Sequence, residues 1–116
     1  MSALVAQLRS DLTAAMRAGD KPTLALLRTV LAAISNAEAV GHAEGGHHGG
    51  GPIANAAVGV GSTERPRREL SESDVRAVIT AEREERLQAA DALADAAAVR
   101  LRTDAEVLYR YLRTGG

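Results

Sequence analysis

The chain predicts an all-α, four-helix, bundle-like domain made of two helical hairpins and a long Gly/His-rich flexible loop between them. Three observations predict it. Apolar residues recur at helical spacing in four stretches. Capping residues and glycines bracket those stretches. The hydrophobic fraction is 46% but aromatics make up only 2%. The core is therefore aliphatic and alanine-rich, and its small faces let helices approach closely. A chain of 116 residues is one domain with one modest core.

The first helix is predicted over about residues 2–18. Leu4, Val5, Leu8, Leu12, Ala15 and Met16 share one stripe, Ser2 is placed as its N-cap, and Gly19 stops it. Asp20, Lys21 and Pro22 open the second helix, about 21–40, because Asp caps well and proline in the first turn forgoes no hydrogen bond. Leu24, Leu27, Val30, Leu31, Ile34 and Ala37 form its apolar face. The composition then changes. Eight of the 11 glycines and all three histidines fall between Gly41 and Gly61, so residues 41–69 are expected to be a flexible loop.

Leu70-Ser71-Glu72-Ser73-Asp74 restarts the helical pattern. Ser71 and Asp74 have capping-box spacing, and Leu70 is placed to staple onto Val75. The third helix, about 71–90, carries Val75, Val78, Ile79, Ala89 and Leu93 on one stripe. The fourth, about 94–113, carries Ala94, Ala97, Ala98, Leu101, Ala105, Leu108 and Leu112. No Gly or Pro marks the joint between Asp91 and Asp95, so one long kinked helix is the alternative. A hairpin is preferred, because a single helix of that length would leave its own stripe unburied.

The charge balance, 14 basic against 15 acidic residues, gives no global attraction to nucleic acid or anionic lipid. The absence of cysteine removes disulfides, thiol catalysis and thiolate metal sites. Arg9, Asp11 and Arg17 interrupt the N-terminal segment, so it does not read as a signal peptide, and no stretch reaches the roughly 20 apolar residues that span a bilayer. The expectation is a cytoplasmic protein without membrane contact.

Polar residues on apolar stripes are the sharpest site signal. Glu82 and Arg86 fall in line with Val75 and Ile79, spaced i, i+4 in the favourable Glu-then-Arg order. Glu38 falls near the angle of Leu27 and Ile34, and Arg28 flanks that stripe. Charges placed there need partners. A network of Glu38, Glu82, Arg86 and Arg28 between helices two and three is therefore expected, either as an ion-pair device that sets register or as a recognition cluster. Asn36 lies opposite the stripe and is expected to be exposed there, an inert surface residue unless another chain or a ligand covers it. His42, His47 and His48 are the only metal candidates. Three imidazoles suit zinc or nickel, but a glycine-rich loop gives them no fixed geometry, so no metal and no cofactor is expected. Arg65, Arg67 and Arg68 around Pro66 form a short basic run suited to phosphate, with Glu64 and Glu69 beside it and no aromatic between. No serine-hydrolase elbow, phosphate loop, zinc-protease motif or thiol nucleophile is present, and no residue is read as catalytic.

Two blocks resemble the GatB/YqeY family, helical proteins related to the C-terminal region of the B subunit of aminoacyl-tRNA amidotransferases. The first runs Leu8-Arg9-Ser10-Asp11-Leu12 to Arg17, then Asp20-Lys21, Leu27-Arg28, Ala32-Ala33-Ile34, Asn36 and Glu38. The second is Leu70-Ser71, Val75, Val78-Ile79, Glu82, Arg86 and Glu106-Val107-Leu108 with Tyr111-Leu112. The resemblance carries over Arg28, Asn36, Glu38, Glu82 and Arg86 as family residues. It implies a link to carbon–nitrogen ligase systems that use glutamine as amido-nitrogen donor. The glutaminase and kinase-like sites of that enzyme lie in other subunits and domains, so the expected role here is a non-catalytic accessory module. Its expected partners are tRNA, an amidotransferase or another protein. Family members commonly continue past the Tyr-Leu with a Pro and a smaller helical domain associated with tRNA contact; Arg113-Thr114-Gly115-Gly116 stands there instead. The alternatives are a general helical protein-interaction domain and a metal-binding protein acting through His42, His47 and His48.

Overall fold

The computed structural model describes residues 2–46 and 69–114, with side chains over 2–39 and 69–113. Four helices make up the described residues: α1 (Ala3–Ala18), α2 (Lys21–Gly46), α3 (Glu72–Asp91) and α4 (Asp95–Thr114), with no strand among them. They pack as two hairpins, α1 on α2 and α3 on α4, and α3 joins the pairs by touching both α1 and α2.

Local chemistry sets the boundaries. The Ser2 hydroxyl accepts from the Val5 amide at 3.1 Å and caps α1. Gly19 takes φ 71°, the left-handed conformation glycine adopts without penalty. Its N–H reaches the Met16 carbonyl and that of Asp20 reaches Ala15, which ties off the last carbonyls of α1. Asp20 then caps α2 through the Thr23 amide at 3.2 Å. The capping box at α3 forms both ways: Asp74 N–H donates to Ser71 Oγ at 3.0 Å, and Ser71 N–H donates to Asp74 Oδ2 at 3.1 Å.

The joint between α3 and α4 is a turn. Ala92 and Leu93 close the last turn of α3 onto Ala89 and Ala90, and Asp95 enters α4 at φ 57°. Aspartate tolerates that conformation better than most residues, so the chain reverses without glycine or proline. Leu93 therefore leaves the α3 stripe and is exposed, and Ala89, Ala94 and Ala97 are exposed with it.

α2 corrects the expected boundary. It continues through Gly41 to Gly46, six residues beyond the predicted end. Each added residue gains one backbone hydrogen bond, and Ala43 and Glu44 favour the helix, so a glycine cost of about 1 kcal/mol per position does not stop propagation. The helical part of the expected loop is thus 41–46; residues 47–68 lie outside the described residues.

The core is one aliphatic cluster. Leu8, Leu27, Val30, Val75, Ile79 and Leu108 are its largest fully buried side chains, with Leu4, Leu26, Ile34, Leu70 and Tyr111 around them. Each such burial contributes about 1.5–3 kcal/mol. Leu26 falls outside the predicted α2 stripe and is buried because α2 touches both α1 and α3, which widens its covered arc. Met16, at the end of the α1 stripe, is instead 54% exposed.

Candidate functional site

Glu82 and Arg86 meet as the stripe geometry predicts. Arg86 Nη1 donates to Glu82 Oε1 at 2.9 Å and to the Glu82 carbonyl at 3.0 Å. The two side chains are only 17% and 14% exposed. They continue the line of Val75 and Ile79 one and two turns on and border a groove of about 340 Å³. Thr29 of α2, Glu85 of α3, and Leu101 and Asp104 of α4 complete its walls. Asp104 pairs with Arg100 at 3.6 Å. Arg86 spends one nitrogen on Glu82 and keeps further donors for this groove, a geometry suited to holding a carbonyl or an oxyanion. Among the described residues, no Ser, Cys or His lines it.

The expected four-residue network does not form as one cluster. Glu38 lies in a different groove, of about 310 Å³, with Ser2, Val5 and Arg9 of α1 and with Glu69, Leu70 and Val75. The cause is its position near the C-terminal half of α2, beside the start of α1, whereas Glu82 and Arg86 face the first half of α2 around Thr29. Arg28 and Asn36 are both exposed on α2. Arg28 is thus solvent-exposed beside the buried Leu27. His42 sits within α2, and its side chain lies outside the described ones. His47, His48, Arg65, Arg67 and Arg68 lie outside the described residues. Among the described residues, no group of three or more His, Cys, Asp or Glu side chains is placed to hold a metal ion. No described helix is long and apolar enough to cross a membrane.

Sequence reasoning missed three polar contacts. Glu72 at the start of α3 accepts from the Ser2 hydroxyl at 2.5 Å and from the Leu4 amide at 3.1 Å, so one helix start caps another. The Tyr111 hydroxyl donates to Asp11 Oδ2 at 2.5 Å, and Gln7 donates to the other oxygen at 2.9 Å. Burial, then the hydrogen bond to Asp11, then its negative charge, push the Tyr111 hydroxyl well above the usual phenol range. This pair borders a groove of about 360 Å³ with Val107 and Arg110. Finally, the Arg83 guanidinium stands 5.0 Å from the centre of the Tyr109 ring, and that of Arg113 stands 5.7 Å from it. The signal for the second contact was present: the chain has two tyrosines, and a tyrosine on an apolar stripe needs a partner for its hydroxyl.

No family model matches this chain, and no curated protein or solved structure matches it significantly.

Proposed function

We propose that this chain is a non-catalytic, YqeY-like recognition module linked to tRNA-dependent amidation. The observation that carries the reading is the Glu82–Arg86 pair. Both residues belong to the set that the GatB/YqeY resemblance singles out, and the fold holds them as a nearly buried pair at the wall of an open groove. A recognition arginine is best fixed by a neighbouring carboxylate before its partner arrives, and Glu82 holds Arg86 in that way. Arg28 and Asn36, exposed on α2, add contact groups of the same set. The groove's lining supplies binding groups: the Arg86 guanidinium, the Thr29 hydroxyl and the carboxylates of Glu85 and Asp104.

Capture of partners from a cell lysate on the full chain tests this. The proposal expects tRNA to be retained and to be lost, with the proteins it bridges, after nuclease treatment. A protein partner that stays bound after nuclease, with no tRNA recovered, would overturn it in favour of a general protein-interaction domain.

A further inference from the structure

We infer that the groove between α1 and α4, lined by Gln7, Asp11, Val107, Arg110 and Tyr111, binds a free amino acid as its zwitterion. Asp11 takes the ammonium group and Arg110 takes the carboxylate. The inference stands apart from the tRNA-linked reading and uses none of that reading's residues.

The groove follows from how the helices pack. α4 lies mainly on α3, which leaves its seam with α1 open over these five residues. Two pairs spaced i, i+4 line the seam, Gln7 with Asp11 on α1 and Val107 with Tyr111 on α4. The volume of about 360 Å³ is in the range of small-molecule sites.

The hydrogen bonds inside the groove decide what it offers a ligand. Tyr111 spends its hydroxyl hydrogen on Asp11 Oδ2, and Gln7 spends an amide hydrogen on Asp11 Oδ1. Both donors are neutral, so neither cancels the carboxylate's charge, and Asp11 makes no ion pair among the described residues. A carboxylate has about four lone-pair sites, and these two bonds leave the others for a ligand. Gln7, oriented by its donation, keeps its carbonyl oxygen as an acceptor. Acceptors around one anionic charge match a primary ammonium, which brings three N–H donors.

Arg110 completes the site. It is exposed, lines the same groove, and makes no hydrogen bond, ion pair or ring contact among the described residues, Asp11 included. An unpaired anion and an unpaired cation on one groove complement a ligand that carries both charges. The guanidinium disfavours a bare amine, and the carboxylate disfavours a bare anion. Val107 adds an apolar contact for the carbon skeleton.

The test is an amide NMR titration of the full chain with the standard L-amino acids, one at a time, at millimolar concentration. The inference expects at least one of them to shift saturably the signals of Gln7, Asp11, Val107 and Tyr111. For that amino acid, the N-acetyl derivative and the methyl ester each lack one charge, and each should bind about tenfold or more weakly. Arg110→Gln should cost about tenfold for the amino acid and nothing for the methyl ester, which has no carboxylate to lose. Asp11→Asn should cost as much for the amino acid and nothing for the N-acetyl derivative. Arg17→Gln, an exposed charge elsewhere on α1, should change nothing. Thermal melts check folding; if Asp11→Asn unfolds, Arg110→Gln and the two derivatives decide. No saturable shift with any amino acid would overturn the inference. So would an N-acetyl derivative that binds as tightly as its parent, which leaves only an anion contact, or a methyl ester that does, which leaves only an amine contact. Binding that Arg110→Gln leaves intact would overturn it as well.

Discussion

Single side chains in this protein are held by partners on other helices, and the consequences are measurable. Tyr111 is the clearest case. Its folded-state hydroxyl titrates above the ordinary phenol value of about 10, so above that pH the unfolded chain releases a proton that the folded chain keeps. The stability that Tyr111 supplies is therefore present at neutral pH and is lost as pH rises beyond about 10. Chemical denaturation across pH 8–12 should show that decline, and Tyr111→Phe should flatten it while costing about 1 kcal/mol at neutral pH through the lost Asp11 contact. Arg86 behaves differently. Arg86→Leu should destabilise by about 1–3 kcal/mol, because Glu82 is left nearly buried without its partner. Glu82→Leu/Arg86→Leu should recover most of that loss. If the pair serves recognition, both variants lose partner binding whatever their melting points, and binding that tracks stability alone would contradict the proposal. The Glu82–Arg86 contact was legible because it is local: spacing alone puts the two residues together. Glu38 was misassigned because its angle on α2 says which way it points, while its height along the helix decides which neighbour it meets.

At the level of elements, the caps carried the sequence reading. Ser2, Gly19, Asp20 and the Ser71–Asp74 box each act within a few residues, so their chemistry is visible without the fold. Ser71→Ala should cost about 1 kcal/mol by thermal or urea unfolding. The α3–α4 turn was harder to place, since it contains no breaker; it depends on Asp95 accepting positive φ. A β-branched residue pays more there, so Asp95→Val should lower stability by about 1–2 kcal/mol, and an unchanged midpoint would show that the turn relaxes. The length of α2 was underestimated because glycine was given the power to end a helix that continues through Gly46. Leu108→Ala, in the fully buried part of α4, should cost about 2–5 kcal/mol, a large share of the stability of a domain this size.

For the whole molecule, two hairpins share one aliphatic core, and polar contacts fasten them at the Ser2–Glu72 and Asp11–Tyr111 positions. The fold class was legible because apolar periodicity is a one-dimensional signal. The contacts between hairpins join residues 70 and 100 positions apart and have no such signature. The same limit applies to the Arg83–Tyr109 contact, which forms only once α3 lies on α4. The central proposal is that the module recognises tRNA through the Glu82–Arg86 groove without doing chemistry on it. The most direct test is equilibrium binding of labelled tRNA at physiological salt, with excess unlabelled duplex DNA as a charge-matched competitor. The account predicts saturable binding that survives the competitor. Binding that the DNA displaces in proportion to its charge, or no binding at all, would contradict it.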